Sequence, residues 1–481
     1  MAIGTTTEDQ IASVHPSYTE ADEIWQTIED VCAGSRCVKR NGVTYLPKLE
    51  GQTDLEYQAF KDRATYVNFT KRTRESLAGM LLRKPPEVSF LGDDIEKLSE
   101  DITLAGHTID DWIRLVCDQA VSTGRSATII DWSGSMNRPY FAHYKARDVL
   151  NWASSRTDGA EKLVFLVVRE VDEVLEDFIV EEQTKIRRYW IADDGNLTSD
   201  LWIQTTGDPP TISNDKSEVR FIKDGEDLII GRKGKPLKSI PAVIHNATHL
   251  GPEVGEAPLG DISEINISHY RSSADLENGR HICGLPTPTA TGVTDSGDLR
   301  LGAATAWTSE DPNAKFGFLE FTGQGLNALT EALKEKAEQM AVLGARLLFN
   351  DSNDAEAFET VQLRATSETA ALSNISGTLS ATLTQALQWF HWWTQTSESG
   401  PEEVEASVIL SKDFTASQMM PAMLSALISA LQTNSISPET FYHNLKQGEI
   451  YPPDWDFKQE TRAISQQAPV AAPVVSSKSE E

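Results

Sequence analysis

The sequence predicts a mixed α+β, helix-rich fold: long helices plus a mostly antiparallel β region. Three observations predict it. Apolar residues recur at helical spacing before residue 125 and again after residue 260, whereas short β-branched and aromatic runs divided by Gly, Asp and Asn fill the stretch between. The chain of 481 residues also exceeds the roughly 250–300 at which one hydrophobic core stops growing, so it is expected to divide into several units.

Residues 17–32 and 54–82 read as helices. In the second, Tyr57, Phe60, Ala64, Val67, Leu77, Met80 and Leu81 keep near-helical spacing until Pro85 and Pro86 stop the run. Residues 108–124 carry Ile109, Trp112, Ile113, Leu115, Val116 and Ala120 on one stripe ending at Gly124. Strands are expected at 126–132, 140–143, 163–171, 185–192, 201–205 and 219–222. Asp261 then caps a helix over 261–283, and a Gly-, Thr- and Ala-rich insert with strand-like pieces at 304–309 and 316–321 leads to a second helix over 326–349. After a polar stretch comes a helix over 359–394, where Leu372, Ile375, Leu379, Leu383, Leu387, Phe390 and Trp393 recur three or four apart. At 1.5 Å per residue it spans roughly 50 Å. A helix pair is expected within 415–447, and the tail from Gln466 has the low complexity of a disordered segment.

Charge narrows the function classes. Lys and Arg number 43 against 72 Asp and Glu, a net charge of −29. No basic run or arm is present to grip phosphates by counterion release. Such acidity serves solubility, or it lets a polyanion pass without sticking. Four scattered cysteines give no disulfide framework, and neither a signal peptide nor an apolar run of membrane-spanning length is visible, so a reducing cytoplasmic setting during synthesis is expected.

Catalytic motifs are missing where they would be legible. Gly231-Arg-Lys-Gly-Lys-Pro236 lacks the spacing of a phosphate loop and has proline where the hydroxyl belongs, which leaves a charged turn between strands. His245 and His249 have i, i+4 spacing, but Asn246 stands where a metalloprotease glutamate would, and the flanking Pro241, Gly251 and Pro252 favour a strand entering a loop. Cys32 and Cys37 have no second ligand pair nearby. The cluster Glu170, Asp172, Glu173, Glu176, Asp177, Glu181 and Glu182 lacks the glycine-centred spacing of a calcium loop and reads as a solvated face. No nucleophile elbow occurs. No enzyme activity, metal or cofactor is expected.

Several segments, in order over about residues 20–400, resemble portal proteins of tailed bacteriophages, the rings that join head to tail. They are Tyr45-Leu-Pro-Lys-Leu-Glu-Gly51, Tyr57-Gln-Ala-Phe-Lys-Asp-Arg63, Leu81-Leu-Arg-Lys-Pro-Pro86, Tyr144-Lys-Ala-Arg-Asp-Val-Leu-Asn-Trp152, Ala257-Pro-Leu-Gly-Asp261 and Ser367-Glu-Thr-Ala-Ala-Leu-Ser373. The resemblance implies a portal-type fold of wing, stem, clip and crown. The wing would be 1–258, the first stem helix 259–284, the clip 285–322 and the second stem helix 323–349. A tunnel loop at 350–358, a long wing helix in 359–410, a short crown-like helical region at 411–465 and a disordered tail at 466–481 would follow.

The resemblance also implies a function: a homo-oligomeric ring, usually of twelve subunits, at one capsid vertex, formed in the host cytoplasm and retained in the virion. Its partners would be the major capsid protein, a scaffold protein, the terminase large subunit and then a head-to-tail adaptor. Double-stranded DNA would pass through without sequence readout, and no membrane is involved. Expected near the DNA are Glu331, Lys334, Glu335, Glu338 and Arg346 of the second stem helix, with Asp351, Asp354 and Glu356 of the tunnel loop. The same helical residues also suit intrahelical pairs or contacts with neighbouring stems. Terminase or adaptor docking is expected on the clip at Thr289, Asp295, Asp298, Arg300, Trp307, Glu310 and Asp311. Two alternatives stand beside this reading: a metal-dependent phage hydrolase or nuclease using the abundant carboxylates, and another connector component of the virion.

Overall fold

The computed structural model describes residues 11, 13–89, 99–157, 160–176, 178–205, 220–284, 287–292, 312–319, 324–345, 358–395, 400–412, 414, 421–433, 435–447, 450 and 457–466. Helix α1 (Pro16–Ala33) starts on a proline at its first turn and buries Tyr18, Trp25, Ile28 and Val31 before Gly34 ends it at φ 100°. Helix α2 (Ser35–Arg40) follows. The single helix expected over 54–82 is two: α3 (Asp54–Arg63), opened by a Thr53/Glu56 capping box, and α4 (Phe69–Leu81), capped by Asn68. Helix α5 (Ile109–Ser122) has a second capping box, Thr108 with Asp111, and buries Trp112, Ile113, Val116 and Cys117.

The β region is antiparallel throughout its described pairings, in accord with the expected fold class. Strand β1 (Glu87–Ser89) pairs far along the chain, as described below. Strands β2 (Arg125–Ser133), β3 (Arg138–Lys145) and β11 (Ala242–Asn246) form a sheet in the order β11-β2-β3. A five-stranded meander runs β4 (Val149–Thr157), β5 (Ala160–Glu176), β6 (Ile179–Ile191), β7 (Leu197–Thr205) and β8 (Arg220–Ile229). A short hairpin of β9 (Gly231–Arg232) and β10 (Lys235–Pro236) precedes β11.

Strand alternation sets the layers. One face of the three-stranded sheet carries Thr128, Phe141 and His245, and it meets helices on that side. Trp112 of α5 donates from Nε1 to Thr128 Oγ1 at 3.1 Å and lies 4.4 Å from Phe141, which also touches Phe390 at 5.2 Å between ring centroids. The opposite face carries Asp131, Tyr140 and Tyr144 and turns to the meander, where Tyr144 OH donates to Glu170 Oε1 at 2.8 Å. Helices, small sheet and large sheet thus stack around one main core.

Phe390 belongs to the 37-residue helix α8 (Phe358–Thr394), which matches the expected long helix to within a residue at its start. Its buried stripe includes Leu379, Leu383, Leu387, Phe390 and Trp393. Beside the stripe a ladder of polar side chains serves as a partner strand. Ser376 Oγ donates to Leu410 O, Ser380 Oγ accepts from Leu410 N, and Thr384 Oγ1 both accepts from Val408 N and donates to Val408 O. These bonds at i, i+4 intervals satisfy β14 (Ser407–Ile409), whose other edge pairs with β1. Three further helices, α9 (Pro421–Gln432), α10 (Pro438–Gln447) and α11 (Phe457–Gln466), follow; the first two fall in the expected pair, and the third closes the helical region expected over 411–465. The tail beyond 466 and the strand-like piece at 304–309 lie outside the described residues.

Candidate functional site

Helix α6 (Gly260–Gly284), strands β12 (Thr287–Thr291) and β13 (Lys315–Leu319), and helix α7 (Gln324–Met340) form one arm. Contacts along α6 and α7 fix their direction. Gly279 faces Leu326, Lys336 reaches Ser268 and Ser272, and Met340 clusters with Ile262, so the helices run antiparallel with the β hairpin between their far ends. At Gly279 a Cβ would lie 2.6 Å from Leu326 Cδ2, so glycine lets the helices approach there.

The root of the arm is built into the body. Ile267, Tyr270 and Ala274 of α6 bury against Val31, Tyr45, Tyr57, Phe60 and Ala64. Asn266, fully buried, acts as a remote cap for α4. Its Oδ1 accepts from Phe69 N (3.1 Å), Thr70 N (3.2 Å) and Thr70 Oγ1 (3.0 Å), and its Nδ2 donates to Val67 O (2.8 Å). Arg271 Nε donates to Tyr45 O at 2.7 Å, and Arg63 reaches Asn278. This cap explains the break at 64–68: the first turn of α4 bonds to a distant side chain instead of to α3.

Between the two helices Lys336 Nζ donates to Ser268 O (3.2 Å) and Ser272 Oγ (2.5 Å). Burial, with the Lys336 charge adding, pushes the His269 imidazole below its usual range, and burial raises the Asp275 carboxyl against the opposing pull of Lys336. The outer face of α7 is different. Glu331, Lys334, Glu335 and Glu338 are all exposed and fall within one arc of the helix, and among the described residues no ion pair joins them. Three carboxylates and one ammonium therefore present a net negative stripe. The helix expected to reach 349 ends at Met340 and gives way to a π turn, Ala341–Ala345, in which Gly344 has φ 153°. Arg346, Asp351, Asp354 and Glu356 lie outside the described residues.

At the far end, Thr289 is exposed on β12 opposite Gly317. Asp295, Asp298, Arg300, Trp307, Glu310 and Asp311 lie outside the described residues. Sequence reasoning passed over Phe316 and Phe318. Both are exposed on β13, and their spacing of two puts them on one face of the hairpin. The alternation Phe-Gly-Phe was the available signal.

The remaining sequence candidates do not converge on a reactive centre. His245 sits between Thr382 Oγ1 (2.9 Å) and Thr128 Oγ1 (3.0 Å), while His249 is in the following loop near Thr248 and the Glu253 carbonyl. Glu170 of the acidic cluster is engaged by Arg187 at 2.7 Å. Among the described residues, no group of three or more His, Cys, Asp or Glu side chains is placed to hold a metal ion, and no helix is long and apolar enough to cross a membrane.

A family described as a domain of unknown function (DUF4055) matches residues 258–394, from the start of the arm through α8. No curated protein matches the chain. Among solved structures it is similar to a chain in the neck of a native GTA particle computed with C12 symmetry, at 11% identity and a TM-score of 0.37, covering 77% of this chain and 86% of that one. It is also similar to a chain in the neck of an empty GTA particle computed with C6 symmetry, at 10% identity and a TM-score of 0.38 over 81% and 91% of the two chains. A third is in the virion of a native gene transfer agent particle, at 11% identity and a TM-score of 0.35 over 82% and 93%. Likeness at this level fixes no function.

Proposed function

We propose that the chain is one subunit of a ring-shaped connector in a phage virion, and within that class a portal protein through which DNA is packaged and ejected. One observation carries the reading. Two antiparallel helices, the first pinned into the body at Asn266 and Tyr270 and the second at Met340, bear a β hairpin between their far ends and expose an acidic stripe. Arranged about an axis, such arms line a channel. Duplex DNA moves along carboxylates without the counterion release that would hold it, and an occasional Lys334 keeps contact weak and salt-tunable. The ordered sequence likeness to portals adds support.

In this reading the arm's β hairpin docks the terminase large subunit and then the head-to-tail adaptor, with Thr289, Phe316 and Phe318 offering contact. The meander and its neighbours face the major capsid protein or scaffold protein. The subunit itself catalyses no reaction.

The test is the mass and shape of the purified full chain. Rings with a central hole and a mass near twelve times 53.0 kDa are expected; a compact monomer with and without scaffold protein would refute the reading. In such rings Glu331→Lys, Glu335→Lys and Glu338→Lys together turn the stripe basic. Duplex retention should rise at low salt and fall steeply as salt is added. Unchanged retention would show that this face does not meet DNA.

A further inference from the structure

Two surfaces outside the channel-forming arm have complementary chemistry. The first is the end of the β5–β6 ribbon. Its pairing runs without a register shift from Phe165 opposite Trp190 to Glu176 opposite Ile179, so it projects as a continuous two-stranded arm. Alternation places Val171, Glu173 and Leu175 on one face with Thr184, Glu182 and Val180 opposite them. Val171, Leu175 and Val180 are each more than half exposed, and Glu173 stands directly across from Glu182, a like-charge pair that weakens the isolated ribbon. At the turn, Phe178 is 99% exposed and has φ 71°, a left-handed conformation unfavourable for a bulky side chain. A turn chosen for stability would carry glycine or asparagine there.

The second surface is a cleft of about 1100 Å³ between the β9–β10 hairpin, the start of β5 and helix α8. Lys162, Arg232, Lys233, Lys235 and Lys238 line it, a concentration of cations in a chain of net charge −29. Its apolar wall is Leu237, Leu250, Trp389, Trp392 and Pro401, with the Arg232 guanidinium 4.0 Å from the Trp392 ring centroid. Glu161 and Glu402 are the carboxylates on its border. Its sign is the reverse of the ribbon's end.

We propose that the tip of the β5–β6 ribbon of one copy seats in this cleft of the next copy. The tip brings Phe178, Leu175 and Val180 to the tryptophans and Glu173 and Glu182 to the lysines. A subunit cannot fill its own cleft this way: Lys162 borders the cleft, and Leu175 lies 13 residues along the same uninterrupted strand, about 40 Å away at 3.3 Å per residue. The contact is therefore between copies, and repeated head to tail, each tip in the next cleft, it is heterologous, the kind that closes into a ring when the rotation permits. It rests on the ring reading for its closure but not for its chemistry.

A photo-crosslinking amino acid at position 178 in the full chain, with isotopically light and heavy copies mixed before assembly, tests the contact. Mixed-isotope crosslinks from position 178 to 229–252 or 381–395 are expected. Rings whose crosslinks fall elsewhere, or that form none, overturn the tip–cleft contact while leaving the ring intact. Open chains crosslinked tip to cleft support the contact and count against the ring. Charge exchange gives a second readout. Glu173→Lys with Glu182→Lys should lower the assembled fraction at least tenfold, as should Lys235→Glu with Lys238→Glu, and the two sets combined should recover most of it. No recovery would overturn the pairing.

Discussion

Replacing Asn266 tests how the arm is joined to the body. Asn266→Ala deletes one acceptor serving Phe69 N, Thr70 N and Thr70 Oγ1, and one donor to Val67 O. The Thr70 hydroxyl rotates to find another partner and Phe69 N keeps its bond to Val67 O at 3.1 Å, but the Thr70 amide is left buried and unpaired, and Phe69 N and Val67 O each lose one bond. At about 1 kcal/mol per lost bond, and more where a group is left without water, the cost is about 3 kcal/mol. Asn266→Asp keeps the acceptor, adds a negative charge beside the first turn of α4, and loses only the bond to Val67, so it should cost roughly half as much. Hydrogen exchange on the full chain is the assay. The amide of Thr70 should exchange on the order of 100-fold faster in the alanine variant and about tenfold faster in the aspartate variant, with α5 unchanged. Equal effects of the two variants, or acceleration spread evenly over the chain, would refute the capping role.

Acid should weaken the body through His245. Burial, with His143 adding, pushes its imidazole down from 6.5 to about 3, so below pH 6.5 the unfolded chain takes up a proton that the folded chain refuses. Stability is then full above pH 6.5 and falls by about 1.4 kcal/mol per pH unit below it, about 2 kcal/mol at pH 5. Denaturant unfolding of His245→Gln should show a flatter pH dependence by that slope. Asp200 and Arg188, both buried on adjacent strands and joined at 3.1 and 2.5 Å, form a pair whose breaking strands a charge: Asp200→Ala should cost about 3–5 kcal/mol in denaturant unfolding, and Arg188→Met with Asp200→Leu much less.

What was legible followed from local chemistry. The apolar stripe of α5 and the period of α8 set their limits within two residues, and the helix expected over 261–283 is α6, which starts at Gly260 so that Asp261 lies inside its first turn instead of capping it. The break between α3 and α4 was not legible, because Tyr57 to Leu81 keep helical spacing and the cap that splits them, Asn266, lies nearly 200 residues away. Strand β14 is three residues long, and its partners are β1 and the hydroxyls of α8; hydroxyls four apart read as ordinary polar filler until the strand beside them is seen. The acidic stripe of α7 was visible because helical period alone groups Glu331, Glu335 and Glu338. The basic cleft was not, since Lys162, the β9–β10 turn and Trp389 meet only in the fold.

Where the cations stand gives the acidity its meaning. Five arginines of the body are committed to carboxylates: Arg138 to Asp101, Arg147 to Asp22 and Glu29, Arg169 to Asp148, Arg187 to Glu170, and Arg188 to Asp200. These pairs join elements and take five cations out of the count available to the outer surface. Copies that each carry −29 repel one another, and salt screens that repulsion over about 10 Å at 0.1 M. A ring of such copies therefore needs contacts where the sign reverses, and the lysine-lined cleft facing an acidic ribbon tip supplies one. The two terms respond to salt in opposite directions. Screening relieves the general repulsion and also weakens the local attraction, so assembly should pass through a maximum at intermediate ionic strength. In a variant with Lys235→Glu and Lys238→Glu the attraction is gone, and assembly should rise with salt throughout.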